Sequence, residues 1–118
     1  MAASVDLEAT ETRLRRLLDP YRQDLVDGSV YGMATLKRSG ASSHDFFVGI
    51  KPAKTFVSYH LKPLYANPEL MDQASTALRK HLQGRIAFNF SVLDDALVAD
   101  LERLLDRVYR IYASEAPA

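Results

Sequence analysis

Between Tyr31 and Leu61 the chain carries three short extended patterns with no interval long enough for a helix, and this restricts the fold more than any other feature. Tyr31 to Lys37 sets Tyr31, Met33 and Thr35 against Gly32, Ala34 and Leu36. Phe46 to Lys51 is apolar on both faces, Phe46, Val48 and Ile50 on one and Phe47 and Gly49 on the other. Thr55 to Leu61 sets Val57, Tyr59 and Leu61 against Phe56, Ser58 and His60. Parallel neighbours need a crossover of about a dozen residues or more, so strands this close are expected to form an antiparallel meander. Turn chemistry at Arg38 to Ser43 separates the first two, and Pro52, which cannot donate to a ladder, interrupts after the second.

Helical periodicity flanks this block. Leu7, Leu14, Leu18, Tyr21 and Leu25 share one face of a 3.6-residue spiral. Asp19-Pro20 inside it predicts a kink or a second short helix, and Asp27-Gly28 predicts its stop. Asn67-Pro68-Glu69 reads as a helix start, with Leu70, Met71, Ala74, Ala77, Leu78 and Leu82 as its apolar arc and Gly84 as its end. Arg85 to Phe90 is then a fourth strand, and Leu93 to Tyr112 a final helix with a continuous apolar stripe. The expected fold is α+β in the order α-β-β-β-α-β-α: a four-stranded sheet, a meander plus one later strand, with helices packed on one face. One domain spans residues 1–118, with 1–5 and 113–118 expected to fray. The uncovered sheet face is where a small ligand, a protein partner or a second copy of the chain would bind.

Composition narrows the chemistry. With no cysteine, thiol catalysis, iron–sulfur ligation, cysteine-zinc sites and disulfides are all excluded. No apolar run reaches membrane-spanning length, and residues 1–6 carry no basic segment leading into an apolar one, so a cytoplasmic domain is expected. The net charge is zero, but residues 31–90 hold eight basic and three acidic side chains while both flanks are acidic. Lys51, Lys54, Lys62 and His60, interleaved with Phe56, Tyr59 and Tyr65, look superficially like a single-strand-binding sheet. Nucleic acid is nevertheless not expected, because that affinity usually rests on an overall basic surplus.

The run from Asp45 to Ser58, with its phenylalanine-rich strand, glycine, alanine-lysine turn and following apolar strand, resembles the core of the YdhG-like family of domains of unknown function. Leu82 to Phe90, followed by an amphipathic helix from Asp94, is similar to the family as well, so the resemblance covers roughly residues 30–112. It implies the YdhG-like fold and, through one branch regarded as a bacterial frataxin-like iron chaperone, an iron-binding or metal-delivery alternative. Tyr31-Gly32 stands near the place where members often carry tryptophan. No functional residue is carried over from the family.

Three groups of residues are candidates. Ser58, His60, Arg85 and Asn89 would form a ligand-binding set if their strands share a surface, since polar groups converging beside aromatic ones suit a small ligand. Nothing marks an orienting carboxylate or an oxyanion hole, so catalysis is not expected and no catalytic residue is assigned. Asp95, Glu102 and Asp106 share a stripe of the last helix and offer hard oxygen ligands for iron under the alternative reading. The same stripe is explained by a solvated helix face with Asp106 and Arg110 paired four residues apart. His44, His60 and His81 match no metal motif, and His81 is expected as a buried imidazole on its helix. The sequence thus describes a small accessory or ligand-binding domain of unspecified ligand.

Overall fold

The computed structural model describes residues 6–114; the fraying expected at 1–5 and 115–118 lies outside the described residues. Helix α1 (Leu7–Arg16) opens on Asp6, whose carboxylate accepts the Ala9 N–H at 3.0 Å. α1 ends before the proline, and a 3-10 segment, Asp19–Asp24, with Pro20 in its first turn, is the expected second short helix starting at Asp19. The six strands are β1 (Val26–Val30), β2 (Met33–Lys37), β3 (Val48–Pro52), β4 (Val57–Leu61), β5 (Leu82–Gln83) and β6 (Ala87–Phe90). They form one antiparallel sheet in the order β1-β2-β3-β4-β6-β5. Two 3-10 segments (Lys62–Tyr65 and Pro68–Gln73) and the short helix α2 (Thr76–Arg79) connect β4 to β5, and α3 (Asp95–Ser114) closes the chain.

The α+β class and the antiparallel meander are as expected, but the sheet has six strands rather than four and the element order changes accordingly. Asp27-Gly28 does not stop a helix; it lies in β1. Tyr31-Gly32 is not strand but the two-residue turn of the β1–β2 hairpin, with φ of 50° and 76°. Positive φ at both central residues is what a type I′ turn requires, and that turn's twist matches the flanking strands. The single helix expected over 67–84 is broken: Ala74 is extended, and Ser75 starts α2 by accepting the Leu78 N–H at 3.1 Å. Ala113 and Ser114, expected to fray, extend α3.

Helices cover one sheet face. Leu36, Val48, Ile50, Val57, Tyr59, Leu61, Phe88 and Phe90 point into a core completed by Leu14 and Leu18 and by Leu97, Leu101, Leu104, Leu105 and Val108 of α3. The fully buried Tyr59 hydroxyl donates to the Leu14 carbonyl at 3.1 Å, tying α1 to the sheet, and burial pushes its pKa well up. One local irregularity corrects the expected alternation in Phe46 to Lys51. Phe47 N–H donates to the Leu36 carbonyl at 2.8 Å although Val48 is the register partner of Leu36. Two residues thus oppose one, as in a β-bulge, and Phe47 enters the main core together with Val48 while Phe46 goes to the other face.

Candidate functional site

The face away from the helices is not bare. Val30, Met33 and Phe46 form a second, small apolar cluster there. Its floor depends on Gly49, because a Cβ at that position would lie 2.6 Å from Met33 Sδ. Glycine in this strand therefore lets the thioether lie flat on the sheet. Phe46 arrives from the 38–47 loop, which is anchored to the end of α3. Tyr112 Oη accepts the Arg38 N–H at 2.9 Å and donates to the Asp45 carbonyl at 2.8 Å. Arg38 bonds the Tyr112 carbonyl, sits 4.0 Å from the centroid of its ring and pairs with Asp45 at 2.6 Å. A cation on one of the last carbonyls of a helix is favourable electrostatically as well as through the hydrogen bond.

Between this loop, the hairpin tip and the sheet lies a cavity of about 240 Å³. Val30, Met33, Phe46 and Ile86 supply apolar walls. Lys51 from β3, His60 from β4 and Lys62 just after β4 bring basic groups to it, and Tyr31 and His44 stand at its edge. Among the described residues no carboxylate lines the cavity. Asp45, next to His44 in the chain, is engaged by Arg38.

Alternation along β4 and β6 explains the polar set. With Val57, Tyr59 and Leu61 facing the helices, Ser58 and His60 face the other way, and Asn89 lies opposite Ser58 in register. Ser58 Oγ and His60 Nε2 are hydrogen-bonded at 2.9 Å. Burial, and after it the positive charge of Lys51, lower the His60 pKa below that of an ordinary imidazole, so the ring is neutral at pH 7. The structure therefore brings Ser58, His60 and Asn89 together, with His60 reaching the cavity. Arg85 is not with them: it sits on the β5–β6 turn with its guanidinium 5.4 Å from the centroid of the Tyr65 ring. There it lines a separate groove with Pro68, Met71 and Leu82, the one charged group among the described residues that line it.

The acidic stripe of α3 does not converge. Residues seven and eleven apart on a helix rise by roughly 10 and 16 Å, much more than one ion can span. Asp95 pairs with Arg13 at 2.8 Å and Asp106 with Arg110 at 2.9 Å, the latter as expected. Among the described residues no group of three histidine, aspartate or glutamate side chains could hold a metal ion. His81 follows α2 instead of lying on it, and is half-buried rather than buried. Its Nδ1 bonds the Asn89 carbonyl at 2.9 Å and its ring packs against Phe90.

Sequence reasoning singled out Ser58, His60 and Asn89 but missed the role of Tyr31, Met33 and Phe46. The available signal was the Tyr31-Gly32 pair between two extended runs, the mark of a two-residue hairpin turn. Fold and site define a helix-backed antiparallel sheet with an amphipathic, basic cavity on its other face. Comparison with protein-family models, with curated proteins and with solved structures finds no significant match for the chain. No helix among the described residues is long and apolar enough to cross a membrane.

Proposed function

We propose that this chain is a non-catalytic ligand-binding domain whose cavity takes a small amphipathic anion. The observation that carries the reading is the cavity's composition: apolar walls of Val30, Met33 and Phe46 beside Lys51, Lys62 and His60, with no carboxylate among the described residues that line it. An apolar body desolvates against the walls, and the positive charge of Lys51 and Lys62, which flank His60 along the β3–β4 pair, neutralises an anionic head. Ser58 acts as a hydrogen-bond partner that fixes the His60 ring, and among the described residues no carboxylate bonds that ring to orient it for nucleophilic use of the pair. The groove at Arg85 is the weaker candidate because few polar groups converge on it. On the motifs at residues 45–58 and 82–90 we also place the chain with the YdhG-like domains, which adds nothing to the chemistry of the cavity.

The test is an NMR titration of the full chain with small carboxylates and with the ammonium compounds of the same carbon skeletons. Carboxylates are expected to shift the Met33 methyl and His60 ring signals, and the Lys51→Ala/Lys62→Ala variant to weaken them at least tenfold, about 1.4 kcal/mol. Equal responses to both charge types, or none to any carboxylate, would defeat the proposal.

A further inference from the structure

Tyr31 breaks a local rule. It holds the first central position of the β1–β2 turn at φ 50°, where asparagine, aspartate or glycine is favoured and a bulky side chain is strained. Packing does not explain its presence, since the residue is 85% exposed. Its ring stands 5.3 Å from that of His44, and both belong to the edge of the cavity. Strain kept at an exposed position is a pointer to function, because stability alone would favour another residue there.

The cavity is also rich in flat faces. Tyr31, His44, Phe46 and His60 are four ring-bearing side chains around it, and the Met33 thioether lies on the floor. Rings gain beyond simple area burial when they meet other rings face to edge or offset, and sulfur adds a favourable contact with an aromatic edge. A saturated guest of the same skeleton fills space but obtains neither. Lys51 and Lys62, on either side of His60, supply the positive charge that an anionic group on such a guest needs.

We infer that the anion is a planar aromatic carboxylate and that Tyr31 is the residue that selects it, by closing its ring over the guest. The inference rests on the anion-binding reading above and names the ligand class for the same site.

The experiment is calorimetric titration of the full chain with 2-naphthoate, with decahydro-2-naphthoate and with (2-naphthyl)methylammonium. It is repeated on Tyr31→Phe, which keeps the ring, and on Tyr31→Asn, which suits the turn and leaves folding intact by its melting point. Naphthoate is expected to bind about fivefold more tightly than its saturated counterpart in the parent and in Tyr31→Phe, and most of that preference to be lost in Tyr31→Asn. The inference is overturned if the saturated acid matches naphthoate in the parent, or if Tyr31→Asn keeps the preference undiminished. In either case acids that still bind and still depend on Lys51 and Lys62 leave the anion reading standing. If neither acid binds, or the ammonium compound binds as well as the acids, both the reading and the inference fall.

Discussion

The two faces of this sheet are built from alternate residues of the same strands, and they solve different problems. Towards the helices, Val57, Tyr59, Phe88 and Phe90 have no exposed surface, and the one buried hydroxyl among them finds the Leu14 carbonyl. Away from the helices, Ser58, His60 and Asn89 remain partly accessible, and the apolar part is a three-residue cluster around Met33. The first face is close-packed and pairs its buried Tyr59 hydroxyl, as stability demands. The second mixes apolar wall, imidazole and ammonium groups around empty volume, which stability does not demand. Fold energy and recognition are thus separated by the two-residue period of a strand.

That separation can be broken most directly at a neighbouring pair on β6. Phe88→Ala should cost about 3–5 kcal/mol by chemical denaturation, the range for truncating a fully buried ring. Asn89→Ala, one residue along and on the other face, should stay within about 0.5 kcal/mol. Comparable losses at the two positions would mean that the second face is core as well. A smaller effect is expected at the strut between the faces. Tyr112→Phe leaves the Arg38 N–H and the Asp45 carbonyl without their shared partner, at about 1–2 kcal/mol. Because the 38–47 loop hangs from this hydroxyl, hydrogen exchange should rise at Phe46 more than at Phe88. Uniform acceleration would show that Tyr112 supports the whole domain and not the cavity wall in particular.

The helix-facing side was legible in the sequence because burial imposes period there: Val57, Tyr59 and Leu61 alternate with polar residues, and the α3 stripe repeats at helical spacing. The other side was legible only where it shares those strands. Ser58, His60 and Asn89 follow from the alternation of β4 and β6, whereas Phe46 and Phe47 exchange faces at a bulge that no period announces. Strand β1 was hidden for a related reason. It is an edge strand with one buried residue, Val30, so hydrophobic patterning has nothing to act on and Asp27-Gly28 reads as a stop. Residues 67–84 carry helical spacing of apolar groups, but Ser75 intervenes. Its hydroxyl caps α2 and also bonds Asp100 of α3, so a side-chain bond with a tertiary partner replaces a continued helix. Arg85 was misplaced because its turn lies beyond the strand whose alternation would have aimed it, and Tyr65 captures it.

Tyr31 sharpens the comparison with an effect of opposite sign. Replacing it with asparagine relieves a bulky side chain from positive φ, so Tyr31→Asn should stabilise the fold by about 1 kcal/mol. The urea midpoint should rise with an unchanged slope. A fall in the midpoint would show that the ring contributes packing energy after all, which its exposure argues against.

The smallest effect expected is the pH response of His60, and it separates the faces without removing any atom of the core. Its folded pKa lies below that of an ordinary imidazole because of burial and then Lys51. As pH falls through about 6.5, the unfolded chain takes up this proton before the folded one does, so stability must decline. The contribution of the neutral ring is complete above that pH, is lost as pH drops from the ordinary value towards the folded one, and does not change further below it. Urea midpoints at pH 7.5 and pH 5 should therefore differ less in His60→Gln than in the parent. An anion bound beside Lys51 offsets the charge that depresses His60 and raises its pKa, so binding near pH 6 should draw a proton onto the ring. Calorimetry in two buffers of different ionisation heat reads that uptake directly. Proton release, or none, would place the anionic group away from His60 even if the cavity is occupied.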